Sequence, residues 1–188
     1  MSEVPFSILG MPGSLRRGSS NRGLLRAARE VAPEGAEIET FDLASIPPYN
    51  ADVEAEGDPA PVGELKERIV AAHALLIATP EYNTSIPGVL KNAIDWASQP
   101  FATTVLRFKP VALMGASAGR FGTVRAQNEL RQVLTALGCY VLPFPQVTIS
   151  NAHERFDEEG NLTDEAVREQ VRMLIDALVS WARRVKPD

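Results

Sequence analysis

The sequence predicts an α/β fold, a largely parallel sheet doubly wound with helices. Two observations carry this. Short apolar runs alternate with helical patterns along the chain, the rhythm of repeated strand–helix units. Two of the runs, Ala74–Ala78 and Val111–Ala116, hold no polar residue, as expected of strands covered on both faces. No internal repeat, linker or low-complexity tract interrupts the rhythm, so residues 1–188 read as a single domain.

The elements follow in order. Phe6–Gly10 reads as the first strand. Asn21–Ala32 reads as a helix with Leu24, Leu25, Ala28 and Val31 on one side. Ile38–Leu43 alternates apolar and polar residues, the pattern of a half-exposed edge strand. Ala44–Pro61 reads as a long loop rich in Pro, Asp and Glu, with a mobile acidic stretch at Asp52–Asp58, and Leu65–Ala72 as a helix. The buried strand Ala74–Ala78 leads to a helix from Pro87 to Ser98, where Pro87 suits the first turn. After Val111–Ala116, Arg125–Leu137 carries Leu130, Val133, Leu134 and Leu137 inward, and Gly138 stops it. Tyr140–Leu142 reads as a strand, resumed by Gln146–Thr148 after a proline break. The last helix spans Asp164 to Arg184, with Thr163 as its cap, acids in its first turn and bases in its last.

Composition narrows the function. Of 188 residues, 45% are apolar and 23% charged, enough for a core and a water-facing surface. The formal net charge of -5 argues against a nucleic-acid partner, which would need a basic face. One cysteine, Cys139, permits neither an intramolecular disulfide nor a dithiol pair, so redox chemistry would need a borrowed cofactor. The start, Met1–Pro5, shows no signal-peptide pattern, and no apolar run reaches membrane-spanning length. The expectation is a cytoplasmic protein without a membrane partner.

In such folds ligands bind beyond the carboxyl ends of the strands. The first such loop runs from Gly13 to Asn21, with three serines, two arginines and an asparagine, straight into a helix. Backbone N–H groups at a helix start favour anions, and hydroxyls add donors. Gly13 and Gly18 have the spacing of a nucleoside-triphosphate loop, but Ser19 stands where the lysine should be. The strand at Leu75–Thr79 carries no acid for magnesium, and the G-x-G-x-x-G fingerprint is absent. A single terminal phosphate, as in FMN, fits better. The plain alternative is a polar turn with solvated arginines, which needs fewer donors than this loop holds.

A second loop, Thr79–Gly88, is stiffened by Pro80 and Pro87. Together, Gly13-Ser14-Leu15-Arg16 with Ser20-Asn21, and Pro80-Glu81-Tyr82-Asn83 with Pro87-Gly88 and Leu90-Lys91-Asn92-Ala93-Ile94-Asp95-Trp96, resemble the NADPH-dependent FMN reductase family. That family includes flavodoxin-like chromate, quinone and azo-dye reductases. The resemblance implies five parallel strands in the order 2-1-3-4-5 with helices on both faces. It implies that Ser14, Arg16, Ser19, Ser20 and Asn21, with Leu15 in the same loop, bind the FMN phosphate end. It implies that Pro80, Glu81, Tyr82 and Asn83 line the flavin ring, largely through backbone groups. It also implies that Ser117–Gly122, with Ser117 and Gly119 in contact, covers the other end of the ring. Homodimers or homotetramers are implied too.

The implied activity is transfer of electrons from NADPH or NADH through FMN to a quinone, azo compound, metal oxyanion or free flavin. No acid–base residue is assigned to the hydride step. Two other readings stay open: a non-catalytic flavodoxin-like electron carrier, and a fold that binds a different phosphate compound. His73 and His153 are read as surface or helix-end residues rather than metal ligands. Cys139, Trp96 and Trp181 are read as packing residues, and Asp157–Asn161 as a solvated turn.

Overall fold

A computed structural model describes residues 5–185; the reading made for Met1–Val4 lies outside them. Six strands form one sheet: β1 (Phe6–Pro12), β2 (Ala36–Thr40), β3 (Ala74–Ala78), β4 (Pro110–Ala116), β5 (Tyr140–Val141) and β6 (Val147–Ile149). All pairings are parallel, in the order β2-β1-β3-β4-β5, with β6 also on β4. This is the 2-1-3-4-5 order that the family resemblance implies. β5 pairs with Pro110 and Val111, and β6 with Met114–Ala116, so the two occupy successive stretches of one edge. Between them, Pro143 and Pro145 lack the N–H that a continuous ladder needs.

Strand alternation divides the core into two layers. Ala74, Leu76 and Ala78 pack with α1 (Ser20–Glu30) and α6 (Glu165–Val185) on one face. Leu75 and Ile77 pack on the other face with α3 (Ala60–Ala71), α4 (Gly88–Ala97) and α5 (Val124–Ala136). The apolar side of α1 is the expected one: Leu24, Leu25 and Ala28 are buried, and Val31 packs beside them. On α5, Leu130 and Leu134 are buried while Val133 and Leu137 are half-buried.

Several expectations need correction. The expected loop over 44–61 contains the helix α2 (Ala51–Glu56), and α3 begins at Ala60 rather than Leu65. Asn50 caps α2 by accepting from the Asp52 N–H at 2.9 Å, and no residue of α2 is buried. An apolar-periodicity search finds nothing on such a helix; the cap was the signal. The preceding stretch is tied down because Asn92 and Trp96 both donate to the Pro47 carbonyl at 2.8 Å. β2 lies at 36–40 rather than 38–43, because Asp42 accepts from the Ala44 N–H and turns Leu43 into the core. At α6, Asp164 rather than Thr163 acts as the cap, accepting from the Val167 N–H at 3.1 Å. The Thr163 hydroxyl instead donates to the Arg155 carbonyl.

The packing residues sit as expected. Trp96 is fully buried, and Trp181 donates to the Tyr140 carbonyl at 2.9 Å. His73, just past α3, accepts the Ser7 N–H and stacks on Phe6. Burial pushes the Cys139 thiol up to about 12, so it stays protonated and unreactive at neutral pH.

Candidate functional site

β1 runs two residues further than expected, and it ends at Pro12 beside Ala78, the last residue of β3. Chain order reverses here: β2 lies on one side of β1 and β3 on the other. The Gly13 N–H donates to the Ala78 carbonyl at 2.8 Å, and the Thr79 N–H to the Met114 carbonyl at 2.9 Å. The loops after β1, β3 and β4 therefore leave the sheet at one level. Between them opens a cavity of about 560 Å³, within the range of small-molecule and cofactor sites.

The first wall is the loop after β1. Ser19 caps α1 by accepting from the Asn21 N–H at 3.2 Å, and the Ser19 N–H donates to the Arg16 carbonyl. Ser14 and Ser19 are 3% and 2% exposed yet line the cavity with Ser20. Arg16 also lines it, and its guanidinium has no carboxylate partner among the described residues. Arg22, which sequence reasoning missed, holds the loop from behind. It donates to the Ser14 carbonyl at 3.1 Å and pairs with both oxygens of Asp42. Arg22 sits one position beyond the motif, and nothing in the local pattern marks it.

Asn21 lines the cavity as well. Its amide donates to the Ala116 carbonyl at 2.9 Å and accepts the Ala116 N–H at 3.0 Å. Both side-chain groups thus tie the start of α1 to the end of β4. Asn21→Ala would strand two buried backbone groups, and we expect a loss of about 2 kcal/mol. The urea midpoint checks this; an unchanged midpoint would show that water replaces the amide.

The second wall is Pro80–Tyr82. The Glu81 side chain is 5% exposed. It accepts from the Arg125 and Ala126 N–H groups at 3.0 and 3.2 Å, and it pairs with the Arg125 guanidinium at 2.6 Å. The Tyr82 hydroxyl lies 3.4 Å from that of Ser14 and bridges the two loops. Tyr82 and Ser85 exchange backbone bonds around a tight turn that holds Asn83 and Thr84 at φ 49° and 67°. Asn tolerates that conformation, but a β-branched residue there is strained. Asn83 is exposed and does not line the cavity, and neither does Leu15, at 47% exposure. These two expected contacts are not brought into the site.

The third wall is Ser117–Gly119. The Ser117 hydroxyl oxygen accepts the Gly119 N–H at 3.0 Å, which leaves its hydrogen free to donate.

A fourth wall was missed. Ala152, His153, Phe156, Asp157 and Glu158 also line the cavity. A signal was available: β6 ends at the same level as β4, so the loop after it falls at the strands' carboxyl ends. Asp157–Asn161 is more than a solvated turn. Phe156 and Leu162 bridge across its base, and Arg26 of α1 donates to Asn161 and the Gly160 carbonyl. The backbone N–H of Asn161, then its side chain, holds the Asp157 carboxyl below its ordinary range. The acidic helix α2 does not border the cavity. No group of three or more metal-ligating side chains occurs among the described residues.

The arrangement suits a ligand with an anionic end and a flat body. The anion would meet buried hydroxyls, a helix start and a free guanidinium. The body would lie between the rigid Pro80–Tyr82 backbone and Ser117–Gly119.

Comparisons with known proteins agree. The family model described as NADPH-dependent FMN reductase matches residues 6–154. The chain is 50% identical over 181 residues to an NAD(P)H-dependent FMN reductase of Pseudomonas aeruginosa, covering 96% of this chain and 97% of that one. It is 39% identical over 180 residues to a 2-hydroxy-1,4-benzoquinone reductase of a Burkholderia species, covering 96% and 98%. Among solved structures, it superposes with a TM-score of 0.85 and 35% identity on a flavoenzyme, NAD(P)H:acceptor oxidoreductase, of Paracoccus denitrificans. That match covers 95% of this chain and 97% of the other.

Proposed function

The chain belongs to the NADPH-dependent FMN reductase family, and from that premise we propose that it is one FMN-binding domain that reduces small acceptors at the expense of NADPH or NADH. When bound, FMN supplies the redox chemistry, accepting hydride from the nicotinamide and passing two electrons to the acceptor. The chain supplies the rest.

Ser14, Ser19 and Ser20, the N-terminus of α1 and Arg16 hold the phosphate. Asn21 and Arg22 position them. Pro80–Tyr82 and Ser117–Gly119 would orient the ring, and the spare hydrogen of Ser117 would be available to donate to it. The turn at 156–160 closes the remaining side. The observation that carries this reading is the convergence of these segments on one cavity at the point where strand order reverses.

Quinones are the acceptor class that the named relatives favour, since one of them is a 2-hydroxy-1,4-benzoquinone reductase. We extend the proposal to azo compounds, chromate and free flavin as acceptors. We also propose a homodimer or homotetramer in the cytoplasm, without a nucleic-acid or membrane partner. No helix among the described residues is long and apolar enough to cross a membrane.

The test is the visible spectrum of the purified protein, its bleaching by NADPH without oxygen, and steady-state NADPH oxidation with a benzoquinone. A flavin spectrum, bleaching and turnover are expected. A flavin that NADPH bleaches without turnover on any acceptor would make the protein a carrier instead.

A further inference from the structure

A second cavity, of about 410 Å³, opens at the opposite end of the sheet and shares no lining residue with the first. It lies where β1 and β4 begin, at Phe6 and Pro110, beside the last turns of α3 and α6. β1 is seven residues long, so roughly 20 Å of strand separates the two cavities. The walls are mostly apolar, with Phe6, Val70, Phe108 and Pro110 among them. Phe108 is held at φ 64°, a conformation that a bulky residue adopts only when its surroundings impose it. Its N–H donates to the Gly138 carbonyl at 2.8 Å, and its ring leans on Tyr140 with the centroids 5.7 Å apart. More than half of Phe108 stays exposed at the cavity.

The polar part of the lining consists of donors. Lys109 is half-buried, and its ammonium donates to the Ala72 carbonyl at 2.7 Å and to the Val70 carbonyl at 3.5 Å. An ammonium has a third N–H, and no carboxylate pairs with Lys109 among the described residues. Lys66 and Lys91, by contrast, each pair with an aspartate. Burial lowers the pKa of Lys109, as expected of a cation withdrawn from water without a counter-charge. Arg183 adds a second cation that pairs with no carboxylate among the described residues. Nδ1 of His73 accepts the Ser7 N–H at 3.0 Å, which puts the ring hydrogen on Nε2 as a further donor. A cation short of an anion, set in an apolar cavity, is matched by an apolar ligand that carries one negative charge. We propose that this cavity binds an aromatic monocarboxylate, its ring against the wall of Phe6 and Phe108 and its carboxylate on Lys109 and Arg183. The volume suits one ring or two fused rings. Neither the walls nor the charges of this site depend on the flavin reading.

The experiment titrates the full chain, saturated with FMN, with 2-naphthoate and with its neutral isostere 2-naphthamide, by calorimetry. The wild type should bind one naphthoate per chain and bind the amide roughly 10-fold more weakly. The visible spectrum of the bound flavin should not change, since the two cavities lie at opposite ends of the sheet. Lys109→Met should weaken naphthoate roughly 10-fold and the amide less than about twofold. Ala71→Trp places a large ring in the cavity from an exposed position and should abolish binding of both. Arg183→Ala, on the exposed end of α6, should weaken naphthoate by a few-fold, and it keeps the charge test available if Lys109→Met does not fold. Absence of saturable naphthoate binding below about 1 mM overturns the proposal. So does equal affinity for the acid and the amide, or a preference that survives both Lys109→Met and Arg183→Ala. Binding that perturbs the flavin spectrum and persists in Ala71→Trp would put the naphthoate in the first cavity, and the proposal would fall. The same titration on protein without FMN should give the same affinity, which separates this site from failure of the flavin reading.

Discussion

Gly23→Ala is expected to destabilise the protein by about 2 kcal/mol and to weaken FMN binding, although alanine is the better helix former. A Cβ at Gly23 would lie 1.8 Å from the Gly160 carbonyl oxygen and 3.2 Å from the Phe156 ring. The first distance is a backbone clash, so no side-chain rotation relieves it. Either α1 moves away from the sheet or the 156–160 turn moves away from α1. The second is the softer motion, and it opens the wall that holds Phe156, Asp157 and Glu158 at the cavity. Overpacking of this kind costs about 1–3 kcal/mol, occasionally more, and the helix-propensity gain of about 1 kcal/mol offsets part of it. Gly63 is the control. It lies in α3, and a Cβ there meets nothing within 4 Å. Gly63→Ala should therefore stabilise by roughly 0.5–1 kcal/mol. Urea midpoints of the two variants should move in opposite directions. A shared direction would mean that the turn at Gly160 is not packed on α1.

Glu81→Ala should cost about 2–3 kcal/mol and deplete the protein of FMN. The carboxylate is almost wholly buried, and α5 has no cap of its own, since Thr123 makes no side-chain cap bond. Glu81 acts as that cap from another loop, taking the Arg125 and Ala126 N–H groups as well as the Arg125 guanidinium. Losing it leaves two helix-terminal donors and one cation unmatched. Arg125 is itself half-exposed and can turn to water, which keeps the loss below that of a fully buried pair. The functional consequence follows from the tether. Without it, Pro80–Tyr82 is no longer fixed to α5, and the wall for the flat part of the ligand loosens. Glu81→Gln can still accept from the N–H groups and should lose about half as much. Thermal midpoint and the absorbance ratio of flavin to protein report both effects. A wild-type midpoint for Glu81→Ala would show that the tether is dispensable.

The two motif-bearing loops were legible because their chemistry is local. Gly13–Asn21 advertises donors in a strand-to-helix turn, and Thr79–Gly88 advertises stiffness. The sheet order was legible only through the family resemblance, since continuous apolar runs identify buried strands but not their neighbours. What the sequence concealed depends on contacts between distant segments. The pair of bonds from the Asn21 amide to Ala116, 95 residues away, is one such contact. Glu81 reads only as part of the ring wall until α5 arrives to use its carboxylate. The wall at 152–158 carries no motif and belongs to the site only because β6 ends where β4 ends. α2 escaped notice for a simpler reason: with no buried face, it leaves no periodic trace.

The central claim is that Gly13–Asn21 anchors the flavin by its phosphate, and the dissociation constants of FMN and riboflavin, measured in the wild type and in Arg16→Ala, test it most directly. The wild type should bind FMN far more tightly than riboflavin. Arg16→Ala should shrink that gap roughly 10- to 100-fold, the worth of one charge-assisted contact, and leave riboflavin nearly unchanged. If Arg16→Ala weakened both flavins equally, or neither, the phosphate would lie elsewhere and the loop would have been misassigned.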